Sequence, residues 1–409
     1  MKKIIGLIAA VALSAASAFA QVNVSSWNRV CFLPLNWNGN QIVSGEAENW
    51  AGTNPGVVAG TTRLFFTGDT KNAGFRMEVY TTSSAGGSAI ALGDPNYVYV
   101  KPFDWMKVSL GQVNANMGLG HVTFGMFDHG YRVSSSTGDY CENIIFSEMT
   151  RCNFDVVLTP IPNLWIEYGG KVVANKEAYH TFLNYAKLSA GYTIPGVGFA
   201  RAQYIGLPDT TDKKGDTVKV GLIEAAFDLT CVPNLWLSAG VKVPTNFETL
   251  NDGNWKLSIT QAGAGHIPLR AAIGAQYNLN PFVFHALAIA SFMNISDSTD
   301  SDGIREFKDV GFAGGLGVDF KINDRYTIIT DFRYASAVYN RILQSSVSDA
   351  VTTRGTAAGY VGLAQNLSNA IFDVGFQLAG NGAGPFTTTV EDKKFDLTWS
   401  VPVQITCWF

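Results

Sequence analysis

Charge is the chemistry that this sequence distributes with most order. Arg29, Arg63, Arg76, Lys107, Lys171, Lys187, Arg201, Lys242, Arg270 and Arg333 fall on the polar side of alternating segments. So do Glu78, Asp155, Glu167, Asp319, Asp331 and Asp373. Ionisable side chains sharing one face of extended chain can line an aqueous passage and bias which ions enter it. The modest surplus of bases predicts a weak anion preference, which pairing across the wall would cancel.

Other chemistries find less support. His121, His129, His180, His266 and His285 are scattered, and none has metal-ligand spacing with another. No Ser–His motif marks a barrel lipase, so no enzymatic activity, cofactor or metal is expected. Asp297, Asp300, Asp302, Gly303 and Glu306 miss the ligand spacing of a tight calcium loop and read as an acidic surface loop. Of the five cysteines, Cys141 and Cys152 could bridge at the base of a long loop. Cys31 and Cys407 would be neighbours in a closed barrel, but their faces disagree.

The elements that position these charges follow from composition. The chain has 409 residues, 47% of them hydrophobic and 15% charged, with a net charge of −4. Soluble domains usually carry about a quarter charged residues. After the leader no apolar run is long enough for a spanning helix, which needs about 20 residues. Low charge without long apolar runs fits strands that show one face to lipid and one to water. The near-neutral balance gives no reason to expect nucleic acid.

Residues 1–20 read as a signal peptide: Lys2 and Lys3, an apolar stretch from Ile4 to Leu13, and Ala18-Phe19-Ala20 as the cleavage site. No cysteine follows that site, so a lipid anchor is not expected. Residues 21–409 are then one barrel domain.

The C-terminal segment alternates throughout. Phe395, Leu397, Trp399, Val401, Val403, Ile405, Cys407 and Phe409 share one face; Asp396, Thr398, Ser400, Gln404 and Thr406 share the other. Side chains that repeat every two residues belong to a strand. Similar alternation runs through Leu269–Leu279, Phe312–Phe320, Tyr326–Tyr334 and Ala370–Leu378.

The chain also repeats internally: Leu158-Thr159-Pro160-Ile161-Pro162-Asn163-Leu164-Trp165 recurs as Leu229-Thr230-Cys231-Val232-Pro233-Asn234-Leu235-Trp236. Looser copies stand at Pro102–Trp105, Asn280–Phe282 and Asn323–Tyr326. Each joins two alternating segments with the residues that tight turns demand. The opposite connections, 38–60, 81–95, 113–149, 244–266, 293–305 and 337–367, are long and polar.

Strands are predicted near 24–36, 61–69, 73–80, 96–101, 104–112, 150–159, 164–173, 182–193, 198–206, 217–229, 235–243, 267–279, 282–292, 307–321, 325–336, 369–379, 385–391 and 394–409. The fold class is therefore all-β: a closed antiparallel transmembrane β-barrel of about 18 strands, with 16 or 14 as alternatives. An even number puts both termini in the periplasm and the long loops outside. Trp105, Trp165 and Trp236 share the phase of Lys107, Glu167 and Lys242. Either they line the periplasmic mouth or a bulge reverses the phase.

The terminal strand, ending Trp399, Val401, Val403, Ile405, Cys407 and Phe409, resembles the insertion signal of bacterial outer-membrane proteins. That resemblance implies recognition by the barrel-assembly machinery. In leader, hairpin rhythm and last strand the chain resembles porin-like Gram-negative outer-membrane proteins. The segment Pro102–Val108 is loosely similar to uncharacterised spirochaete barrels.

A lumen of about 18 strands is too wide for wall side chains alone to fill, which predicts passive diffusion of small hydrophilic solutes. A long loop folded inward, 113–149 or 337–367, would supply a constriction. The alternatives are a surface adhesin on a barrel scaffold, or a transporter for hydrophobic solutes with a hatch near residues 38–60. Outer-membrane lipids and a homo-oligomeric copy complete the expected partners.

Overall fold

The computed structural model describes residues 22–37, 42–43, 59–84, 87–113, 152–172, 185–206, 210–211, 217–218, 220–249, 255–259, 269–295, 307–339, 355–380 and 397–409. The leader 1–20 lies outside them, as do Cys141, the 297–306 acidic loop and most of the 38–60 hatch and the 113–149 loop.

The first barrel strands are β1 (Val22–Trp37), β2 (Ala59–Asp69), β3 (Ala73–Ser84), β4 (Gly87–Phe103), β5 (Met106–Val113) and β6 (Cys152–Ile161). Next come β7 (Leu164–Gly170), β8 (Ala186–Ile194), β9 (Gly198–Gly206), β10 (Val220–Leu229), β11 (Leu235–Thr249) and β12 (Leu269–Leu279). The last are β13 (Phe282–Ile295), β14 (Phe307–Lys321), β15 (Tyr326–Ala335), β16 (Thr356–Leu367), β17 (Ala370–Gly380) and β18 (Leu397–Trp408).

Among the described residues, 20 strands share one sheet. Two are short additions: Ile42–Val43 pairs with the end of β1, and Trp255–Ile259 with the end of β11. The other 18 run antiparallel in chain order, and β18 pairs with β1 from Trp27↔Trp408 to Trp37↔Trp399. Closure leaves no edge whose backbone groups would go unpaired in lipid.

Short turns gather at one end, the end that also holds Phe409. The repeated motif explains two of them. Asn163 and Asn234 adopt left-handed backbone, with φ of 68° and 64°. Asparagine tolerates that conformation better than most side chains. Each turn then offers its carbonyl to the next hairpin: Thr193 N–H donates to Asn163 O and Asn278 N–H to Asn234 O, both at 2.9 Å. In the β14–β15 turn, Asn323 Oδ1 accepts from the backbone of Arg325 and Tyr326.

The burial pattern is inverted relative to a water-soluble protein. Leu316 is 63% exposed, Phe312 58% and Phe332 52%, whereas Glu167 and Lys187 are fully buried. The apolar faces turn outward and the polar faces inward, as a barrel in a bilayer requires.

Two loop expectations need correction, and one strand expectation lies outside the described residues. Thr356–Leu367 is strand β16, not part of a 337–367 loop. Its alternation is muted because Ala and Gly occupy both faces: Ala358, Gly362 and Ala364 inward, Ala357 and Gly359 outward. The strand expected at 385–391 lies outside the described residues, so the total of 18 is reached with a different member. Most of 81–95 is also strand, since β3 runs to Ser84 and β4 begins at Gly87.

Among the described residues no cysteine bridge is present, and Cys141 lies outside them. Cys152 and Cys407 form no disulfide. In the closing ladder Cys31 faces Gln404, while Cys407 faces Asn28.

Candidate functional site

The inner wall carries one continuous polar register line. Glu167 on β7 lies opposite Ser189 on β8, Ser189 opposite Gln203 on β9, and Gln203 opposite Glu224 on β10. Glu224 then faces Lys242 on β11, Lys242 faces Arg270 on β12, Arg270 faces Ser291 on β13, and Ser291 faces Gly311 on β14. Register lines run perpendicular to strands, and barrel strands tilt by about 35–45°. The line therefore climbs the wall in a spiral. Glu167 lies near its short turn, and Gly311 lies toward the long-loop end of β14.

Neighbours along the line neutralise and bind one another. Lys187 Nζ stands 3.5 Å from Glu167, and Lys242 Nζ 3.5 Å from Glu224. Gln203 Nε2 donates to the Glu224 carboxylate, and Ser189 Oγ donates to Gln203 Oε1 at 3.5 Å. Arg270 Nε donates to Ser291 Oγ at 3.2 Å. Beside the line, Arg201 pairs with Asp228, which also accepts from Ser238. A buried charge needs such a partner, because an uncompensated one costs several kcal/mol.

The other expected wall charges are placed as follows. Arg63 pairs with Glu78 at 3.3 Å and lies over the Trp27 ring. Arg76 lies over Phe65. Lys107 Nζ stands 4.6 Å from the Tyr99 ring centre, and the Tyr99 hydroxyl donates to Asp69. Asp155 is buried opposite Ser109 on β5. Asp319 meets His285 at 3.2 Å, and Asp331 meets Arg333 at 3.5 Å. Asp373 is buried opposite Ala364 and Gln404. For Arg29 the backbone is described: it pairs with Thr406 and Thr61.

Lys171 directly follows the last residue of β7, and its N–H donates to Tyr185 O at 2.9 Å, carrying the ladder one residue further. Sequence reasoning missed Glu224 and Asp228. Their inward face includes Leu222 and Ala226, which hides the polar alternation of β10.

The three tryptophans sit differently. The Trp165 ring lies across Gly191, where an added Cβ would stand 2.5 Å from the indole nitrogen, so it lines the inner face near the short turns. The β11–β12 pairing runs unbroken from Leu235 to Lys242, keeping Trp236 in phase with Lys242. Trp105 sits in the β4–β5 turn, stacked on Phe103 at 5.2 Å beside a register shift.

The inner wall also holds an apolar cluster. Leu33, Ile329, Ala358, Tyr360, Ala364 and Ala379 form one buried cluster across β15–β17 and β1. The Tyr360 ring lies over Gly362 and Gly375, positions where any Cβ would overlap it. Among the described residues, no group of three His, Cys, Asp or Glu side chains could hold a metal.

On the outer face, Trp399, Val401, Val403, Ile405, Cys407 and Phe409 point away from the lumen in one row, with Thr398, Ser400 and Gln404 buried between them.

This geometry has solved counterparts. OpdL of Pseudomonas aeruginosa superposes with a TM-score of 0.53 at 8% identity, covering 95% of this chain and 99% of that one. OpdK, an outer membrane protein of the same organism, gives the same values. The outer membrane channel DcaP of Acinetobacter baumannii reaches 0.49 at 12% identity, over 95% and 97% of the two chains. The likeness is one of fold. No family model matches the chain, and no curated protein matches it.

Proposed function

We propose that this protein is an outer-membrane channel for the passive diffusion of small hydrophilic solutes. The observation that carries the reading is the inverted barrel: 18 strands closed by β1 and β18, apolar outside, with a hydrogen-bonded polar spiral inside. Barrels of 16–18 strands generally leave an aqueous lumen. The fold shared with OpdK, an outer membrane protein, supports the location. On this reading the leader 1–20 directs export, the assembly machinery reads the Trp399–Phe409 row, and the short turns and both mature termini face the periplasm. Membrane lipid and a homo-oligomeric copy are the further partners. The spirochaete likeness of Pro102–Val108 carries no part of it.

Ion preference is weak on this reading. Glu224 and Asp228 reduce the basic surplus expected from sequence, and Arg63, Lys187, Arg201, Lys242 and Arg333 each stand beside a carboxylate. The pore-lining set on this reading is Arg63, Arg76, Lys107, Glu167, Lys171, Lys187, Arg201, Lys242, Arg270, Asp319, Asp331, Arg333 and Asp373, with Arg29 at the β1 seam. Refolded residues 21–409 in a planar bilayer test the reading. Stepwise current in electrolyte is expected; a folded, inserted barrel that passes no current overturns it.

A further inference from the structure

The cations on the inner face of β3–β5 stand differently from those of the polar spiral. Lys187, Lys242 and Arg270 are 8% exposed or less, so they meet wall partners and little water. Arg76 and Lys101 are exposed, and Lys107 is half-buried. Each lies against an aromatic ring. Arg76 Cζ stands 5.7 Å from the centre of Phe65, and Lys101 Nζ 5.6 Å from that of Tyr99. Lys107 Nζ stands 4.6 Å from Tyr99 and 5.4 Å from Tyr97. A ring face attracts a cation without neutralising it, so the charge stays available to an anion.

The wall is shaped to hold these rings. Tyr99 faces Gly74 across the β3–β4 ladder, and its hydroxyl donates to Asp69. A Cβ on Gly74 would stand 2.5 Å from the Tyr99 hydroxyl and 2.6 Å from the Asp69 carboxylate, so glycine keeps room for that bond. Tyr97 is the next inward residue, half-buried opposite Arg76, its ring centre 6.4 Å from that of Tyr99. The group lies beside the short turns, with Lys101 and Lys107 on either side of Pro102–Trp105.

Charge then selects the solute. Apart from the Arg63–Glu78 pair, the water-reaching ionisable groups described on the inner face of β2–β5 are these three bases and one acid, Asp69, a surplus of two positive charges. Asp155 is fully buried opposite Ser109 and meets no water. A phosphate monoester carries about −1.5 to −2 charges at neutral pH, and the guanidinium fork matches its oxygens. A ring attached to that phosphate can stack on Tyr97. We propose that Arg76, Lys101, Lys107 and Tyr97 form a binding subsite at the short-turn mouth for phosphate monoesters that carry a ring. The proposal rests on the channel reading and names a solute class for it. The three cations hold the phosphate, Tyr97 holds the ring, and Tyr99, tied to Asp69, positions the two lysines.

Blockade of ion current tests this on the full mature chain in planar bilayers, each variant first being shown to fold by heat-modifiable gel mobility. Phenyl phosphate is expected to interrupt the current at a roughly tenfold lower concentration than inorganic phosphate or benzoate. Arg76→Gln and Lys101→Gln should each raise the blocking concentration of phenyl phosphate roughly tenfold. Tyr97→Leu should raise it for phenyl phosphate and leave that of inorganic phosphate as it was. Lys101 is exposed, so its variant keeps the test open even where another fails to fold. Where inorganic phosphate or benzoate blocks as well as phenyl phosphate, or the folded variants block as wild type does, the subsite is overturned and the channel stands. Where inserted wild type passes no current, the channel reading falls and the subsite falls with it.

Discussion

Phe409 and Ser26 exchange backbone hydrogen bonds in both directions: Ser26 N–H donates to Phe409 O at 2.7 Å, and Phe409 N–H donates to Ser26 O at 3.0 Å. The last residue of the chain thus ties down the first strand and extends the ladder that closes the barrel. Phe409 is 71% exposed and stands on the outer face with Ile405 and Val403. Closure and the outward apolar row therefore meet in one residue.

Deleting Phe409 is expected to lower the amount of heat-modifiable barrel recovered from the outer membrane, because it removes both bonds and the terminal aromatic. Phe409→Tyr retains both and should assemble as wild type. Equal recovery of the deletion and wild type would argue that the insertion signal lies elsewhere.

The outward face can be tested with charge. Leu316→Arg places a guanidinium where lipid is expected and should cost about 2–4 kcal/mol near the bilayer midplane. Gly317→Ser, one residue along and facing the lumen, should cost much less. Urea unfolding in lipid vesicles reads both, and similar costs would contradict the assignment of faces.

Breaking the polar spiral should be expensive. Glu224 is fully buried and accepts from Gln203 beside Lys242. Glu224→Ala leaves the ammonium without this carboxylate, a loss of about 3–5 kcal/mol for a buried pair. The double variant Glu224→Gln with Lys242→Gln should recover much of it, because no charge then lacks its partner.

The repeated turn makes a smaller prediction. Asn234→Ala forces a Cβ-bearing residue without a polar side chain into left-handed backbone and should cost about 1–2 kcal/mol. Asn234→Gly should be neutral or mildly stabilising, and Asn163 should behave alike. The comparison is a pair of unfolding midpoints.

Selectivity follows from the pairing. Wild type should show a reversal potential near zero in a salt gradient, and Arg270→Glu combined with Arg333→Glu should move it toward cation preference. An unchanged potential would remove both residues from the conducting path.

Much of this architecture is legible in the chain because a transmembrane barrel writes its environment into every second residue. The outward row of β18 and the inward charges of β12, β14, β15 and β17 stand as the alternation implies. The tight turns follow from the Pro-Asn-Leu-Trp repeat. Legibility fails where both faces carry small residues, as in β16, or where apolar side chains enter the inner face, as Leu222 and Ala226 do on β10.

Sequence by itself determined the strand rhythm, the turn chemistry and which face is polar, since each depends on residues close along the chain. Tertiary structure decided which charges meet. Glu167 and Arg270 stand far apart in sequence, and only the stagger of neighbouring strands puts them on one line. It also decided that the chain after Ala335 bends inward onto Gly311. That seat depends on a missing side chain on one strand meeting main chain from the segment beyond the next, a coincidence that no local pattern encodes.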